Sequence, residues 1–182
     1  VFYFPKFFHP DPSVKRQSGF LMPTFEDSSS LGLALNVPYF HVLSENKDFT
    51  LSPRLYSNNK ALLQSEYRAV NADSKHTLDF SLMNEKDSNK NHFFSKSIKR
   101  LNFENFDDSE IYLDIQSTSN DTYLKTYKLK SPIINNTNTL KSSFGLNAYR
   151  DDLSFSADFH VYENLEKEKT DRFEFVLPSY SL

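Results

Sequence analysis

The sequence predicts an all-β fold, an antiparallel meander of about eleven strands. Three observations predict it. Apolar and polar residues alternate with a period of two along most of the chain, the alternating segments run to about ten residues, and short polar turns separate them. Helical periodicity is nearly absent, and no run approaches the roughly 18 apolar residues of a transmembrane helix. Any membrane contact must therefore come through strands, and about ten residues is the length with which a tilted strand crosses a bilayer.

The clearest segment is 31–39, where Leu31, Leu33, Leu35, Val37 and Tyr39 share one face while Gly32, Ala34, Asn36 and Pro38 share the other. The next sets Phe49, Leu51, Pro53 and Leu55 against Thr50, Ser52, Arg54 and Tyr56. Over 76–85, Leu78, Phe80 and Leu82 oppose Thr77, Asp79, Ser81, Met83 and Glu85; over 109–117, Ile111, Leu113 and Ile115 oppose Glu110, Tyr112, Asp114 and Gln116. Two later segments set Leu140, Phe144, Leu146 and Ala148 against Lys141, Ser143, Asn147 and Tyr149, then Leu153, Phe155, Ala157, Phe159 and Val161 against Ser154, Ser156, Asp158, His160 and Tyr162. Weaker strands are expected at 1–8, 18–26, 61–70, 92–102 and 171–180. The turns Ser57-Asn58-Asn59-Lys60 and Arg150-Asp151-Asp152 are short and polar, so neighbouring strands pair as hairpins. Two stretches depart from this pattern. His9-Pro10-Asp11-Pro12 to Gln17 reads as a loop, and 118–138 is too long for a tight turn; a short strand hidden there would reverse the facing of everything after it.

Composition narrows the function. The chain has 182 residues, 38% of them hydrophobic, with 18 Phe and 10 Tyr but only 3 Gly and no Trp, which suits stiff, aromatic strands. Its 21 Lys and Arg against 24 Asp and Glu give a net charge of −3, leaving no basic field for nucleic acid. The absence of cysteine removes disulfides, a thiolate nucleophile and thiolate metal ligands from this stretch. His9, His41, His76, His92 and His160 lack the spacing that brings two imidazoles to one metal, and neither a nucleophile elbow nor a phosphate-cradling Gly loop is present. We expect no enzyme, no cofactor and no metal. The start at Val1, without a secretory signal, and Leu182 in place of a terminal aromatic are expected of a fragment.

Alternation alone favours a soluble sandwich, which also has one apolar and one polar face per strand. Uniform strand length, with few Pro or Gly breaks in mid-segment, points instead to a barrel. There the polar row, Arg54, Glu66, Arg68, Asp79, Glu85, Glu110, Asp114, Lys141, Asp158 and His160, would face water in a lumen.

The N-terminal third carries a more specific signal. Val1-Phe2-Tyr3-Phe4-Pro5-Lys6-Phe7, followed by Lys15-Arg16-Gln17-Ser18-Gly19-Phe20-Leu21-Met22-Pro23-Thr24-Phe25, resembles the segment at which the LptD (OstA) lipopolysaccharide-assembly family enters its outer-membrane barrel. Val37-Pro38-Tyr39-Phe40, Asp48 to Arg54, Glu66-Tyr67-Arg68 and the late Leu177-Pro178-Ser179-Tyr180 resemble further blocks of that family in the same order. The resemblance is strongest over 1–70. It implies part of a large transmembrane β-barrel in the Gram-negative outer membrane, with 1–17 as a first strand and loop and 18–182 as successive hairpins. It also implies lipopolysaccharide as cargo, an LptE-like lipoprotein plug, and a periplasmic lipopolysaccharide-bridge protein docking through a jelly-roll domain outside this chain. In that family prolines in the first strands weaken strand pairing to make a lateral gate; Pro5 and Pro23 match those positions, with Pro10 as a third. The physical basis is that Pro cannot donate to a strand ladder. A soluble all-β carbohydrate- or protein-binding module and a passive porin-type channel are the alternatives.

Overall fold

The computed structural model describes residues 16–28, 31–85 and 88–181. Among them, twelve strands form one antiparallel sheet. They are β1 (Gly19–Phe20), β2 (Thr24–Ser28), β3 (Gly32–Asn36), β4 (Tyr39–Ser44), β5 (Lys47–Tyr56), β6 (Ala61–Val70), β7 (Ser74–Glu85), β8 (Ser88–Arg100), β9 (Asp108–Thr118), β10 (Thr139–Arg150), β11 (Leu153–Asn164) and β12 (Phe173–Ser181). From β4 to β12 each strand pairs with the next in the chain, so the fold is a meander. The sheet does not close among the described residues. The strand expected at 1–8, with Pro5 and Pro10, lies outside them.

The first strands are segmented. The sequence predicts single strands at 18–26 and 31–39, yet the structure divides the first into β1 and β2 and places the break between β3 and β4 inside the second. The register explains why. Phe20 pairs Tyr39 and Thr24 pairs Asn36, so the three residues 21–23 face the two residues 37–38, a bulge. Pro23 and Pro38 both sit in it, and neither can donate to a ladder. Toward β5 the register stays unbroken: Asn36 pairs Arg54 and Tyr39 pairs Leu51. The carbonyl of Pro38 accepts from Leu21 N (2.8 Å), and that of Pro53 accepts from Val37 N (3.2 Å).

Directly opposed residues share a face, so the pairings trace two faces across the sheet. One row runs Asp48, Arg68, Thr77, Lys96, Asp114, Ser143, His160 and Val176 from β5 to β12. On the opposite face, Phe80 pairs Phe93, Leu63 pairs Leu82 and Leu113 pairs Phe144. Those six side chains are exposed. The sheet thus has a polar face and a solvent-facing apolar face.

The stretch 119–138 holds no hidden strand. It contains a one-turn helix, α1 (Tyr123–Thr126), and leaves the sheet altogether, while β9 pairs directly with β10 and the facing is preserved. The insertion folds back on one end of the polar face. There Tyr56, Leu62, Met83 and Phe94 from the strands bury Tyr123, Leu124, Tyr127, Leu129 and Ile133, with Leu31, Leu140 and Leu165 at the margin. Leu31 therefore leaves the apolar row to which alternation assigned it, released by the turn at Gly32, whose φ is +74°.

Gly145 marks a close approach of another kind. It lies between Tyr112 and Asp158 in register, and the Tyr112 hydroxyl donates to Asp158 across it. A Cβ at 145 would run into both partners. Gly145→Val is expected to destabilise the sheet by about 1–3 kcal/mol, read as a lower urea midpoint of the intact protein. Tyr123→Ala empties a fully buried site and is expected to cost about 3–5 kcal/mol of docking energy, read as faster protease cleavage within 119–138.

Candidate functional site

The candidate site is the polar face with the insertion seated on it. Arg54, Glu66, Arg68, Asp79, Glu110, Asp114, Lys141 and Asp158 all lie on this face by register. The side chains do not form one cluster. They fall into a dry end under the insertion and an open remainder.

At the dry end Arg54 and Asp79 are buried, so these two do not line a wet surface. Burying charge is costly unless it is paired, and both are. Arg54 Nη1 donates to the Tyr127 carbonyl at 2.7 Å and lies 3.5 Å from Glu26 Oε2. Gln64 Nε2 donates to Asp79 Oδ1 (3.1 Å) and to the Lys130 carbonyl (2.9 Å). His92 Nε2 sits 3.2 Å from Asp79 Oδ1, at ion-pair distance. Its Nδ1 is 2.6 Å from Ser81 Oγ, which is 2.8 Å from the Tyr123 hydroxyl. Burial pushes that hydroxyl up to about 12, so Tyr123 stays protonated across the working pH range and can donate.

An Asp-His-Ser series suggests a nucleophile, but Asp79, His92 and Ser81 are fully buried, and the space a reacting carbonyl would need holds Tyr123. What this relay does is pin the insertion to β7 and β8. A second clamp ties the insertion to the end of β11 and the turn after it. Arg172, in the 165–172 turn, bridges Asp121 (2.7 Å) and Glu163 (3.4 Å), and Lys125 pairs Glu166 at 2.9 Å.

The remainder is charged and, apart from buried Asp48, open. Asp48 is buried between Arg16 and Arg68, the latter at 2.8 Å, and Arg68 also lies 3.4 Å from Glu66. Glu110 accepts from Asn147 Nδ2 at 3.1 Å, and Asp114 accepts from Gln116 Nε2 at 3.1 Å. The Lys141 ammonium stands 5.7 Å over the Tyr162 ring. Of the three prolines, Pro23 is described and sits exposed at the bulge before β2.

The relay escaped sequence reading because its members are brought together by register, as Ser81 opposite His92, rather than by spacing along the chain. Asp48, which takes two arginines, stands out in the sequence only as the first residue of the block Asp48 to Arg54.

No protein-family model matches the chain. The LPS-assembly protein LptD of Pseudoalteromonas atlantica is 30% identical over 169 residues, covering 91% of this chain and 22% of that protein. That of Pseudomonas aeruginosa strain LESB58 is 37% identical over 93 residues, covering 51% and 10%. That of Paraburkholderia xenovorans is 50% identical over 56 residues, covering 31% and 7%. The chain therefore spans between 7% and 22% of the length of these relatives. The match to the first runs along nearly all of this chain and coincides with an antiparallel sheet of alternating faces, and by it the chain belongs to the LptD family of LPS-assembly proteins.

Proposed function

We propose that this chain forms part of an outer-membrane β-barrel that inserts lipopolysaccharide into the outer leaflet of a Gram-negative cell. The observation that carries the reading is the pair of opposite faces kept in register from β5 to β11. Strands of 10 to 13 residues from β5 to β11 have the length a tilted bilayer crossing needs. Their outward Phe and Leu side chains form an apolar surface of the kind that faces lipid acyl chains. A soluble module would have to leave the same rows of Phe and Leu side chains bare to water.

The polar face then lines a hydrated lumen for the sugar portion of the cargo, with Glu66, Arg68, Glu110, Asp114, Lys141 and Asp158 in contact with water. The acyl chains leave through a lateral gate bordered by the first strands and marked by Pro5, Pro23 and Pro10. The thin pairing at that edge supports the gate: β1 contributes two register pairs, and the bulge holding Pro23 interrupts the ladder beside it. An LptE-like lipoprotein occupies the barrel interior, and a periplasmic bridge protein delivers the cargo through a jelly-roll domain. Delivery is transport, with no bond made or broken.

Replacing Pro5 and Pro23 together by Val in the complete protein is expected to strengthen strand pairing and lower lipopolysaccharide at the cell surface, measured by surface labelling at matched protein levels. Unchanged delivery would remove the gate.

A further inference from the structure

Beside the thin β1 ladder lies an ion pair that the ladder itself does not require. β1 holds β4 by two register pairs, Gly19 with Phe40 and Phe20 with Tyr39, and just beyond them Leu21 N donates to the Pro38 carbonyl at 2.8 Å. Ahead of β1 the contacts pass to side chains. Val42 N donates to Ser18 Oγ at 2.8 Å. Two residues earlier, Arg16 reaches across β4: its guanidinium lies 5.4 Å over the Phe40 ring and pairs with Asp48 Oδ2, on β5. The other carboxylate oxygen, Oδ1, accepts from Arg68 Nε at 2.8 Å, and Arg68 is the residue opposite Asp48 in the β5–β6 register. Asp48 is buried at 3% exposure, whereas the side chains of Arg16 and Arg68 are each close to half exposed.

A carboxylate so buried is costly unless its charge is met, and here each oxygen takes one guanidinium. The two arginines differ in what they join. Arg68 comes from the adjoining strand and keeps Asp48 in place. Arg16 comes from 32 residues earlier in the chain and from the far side of β4, so its pair with Asp48 spans both the β1–β4 and the β4–β5 boundaries. An edge strand as thinly paired as β1 can yield in two ways. It can peel off β4, or it can stay on β4 while its other edge, unpaired among the described residues, parts from an adjoining strand. The pull of Asp48 opposes the first and leaves the second untouched. We infer that Asp48 is a positioning residue for the lateral gate: through Arg16 it staples β1 to the body of the sheet, so that β1 moves with β4 and β5 instead of peeling from them. This rests on the reading of the first strands as a gate. It adds the ion pair that decides which side of β1 gives way.

The test follows amide hydrogen exchange by mass spectrometry in the complete protein, with lipopolysaccharide delivery measured in parallel by surface labelling. Arg16→Gln leaves the Asp48–Arg68 pair intact and is expected to speed exchange over residues 17–22 about 10-fold while β6 and β7 stay protected. Arg16→Lys keeps the charge and is expected to restore most of the protection. Asp48→Asn is expected to loosen the same residues, and adding Arg16→Gln to it to loosen them no further, because both remove one contact. Heat-modifiable migration verifies that each variant is folded. Arg16→Gln is also expected to lower surface delivery. A disulfide between Phe20→Cys and Tyr39→Cys, which oppose each other in register, ties β1 to β4 independently and is expected to restore it. Unchanged exchange over 17–22 in Arg16→Gln would overturn the staple. Faster exchange with unchanged delivery, or a delivery defect that the disulfide does not repair, would overturn its part in gating. The gate stands or falls separately on the prolines. Delivery that responds to replacement of Pro5 and Pro23 but ignores Arg16→Gln defeats the staple alone; delivery that follows Arg16 and ignores the prolines upholds the staple and removes the proline-marked gate.

Discussion

Register is the constraint on which this sheet depends. Side chains alternate with a period of two, so a one-residue slip of β8 against β7 would carry Phe93 onto the face of Asp79 and His92 onto the face of Phe80. Each strand from β5 onward repeats the same stake, since each sets Phe or Leu on one side against Asp, Glu, Lys or Arg on the other. The faces therefore hold the pairing as much as the pairing makes the faces. Gly145 shows how closely this is adjusted: the ring of Tyr112 covers this position without a side chain and reaches Asp158 on the next strand but one.

The strands were legible because alternation is a local signal. Segments such as 61–70 and 109–117 could be read without knowing their partners, and the same parity put eight charged residues on one face. The insertion was not legible in the same way. Tyr123, Leu124, Tyr127, Leu129 and Ile133 form no run with a single period, and what they pack on comes from strands that lie far away in the chain. The dryness of Arg54 and Asp79 follows from that packing and so escaped notice too. An alternating polar residue can be assigned to a face from sequence, but its exposure depends on whatever else settles there.

Prolines in the first strands show a similar split between local and collective effects. Pro23 and Pro38 each announce a break in donor capacity. That they meet in one bulge, with the carbonyls of Pro38 and Pro53 accepting from the neighbouring strands, is a property of the paired sheet. The interruption cuts across strands at one level instead of scattering along them. The later sheet, by contrast, runs from β5 to β11 with long uninterrupted ladders.

The clamp on the insertion also sets an order of events in time. Arg54 waits for a carbonyl 73 residues further along the chain, and Arg172 must arrive before Asp121 has its partner. Closing so long a loop is slow and costs entropy before any contact rewards it. The hairpins of β5 to β8 can zip up as each emerges, and 119–138 finds most of its seat on them before Glu166 and Arg172 complete the second clamp. Until 119–138 has been made, the apolar patch of Tyr56, Leu62, Met83 and Phe94 is bare, and a chaperone that recognises aromatic segments would have its best opportunity there.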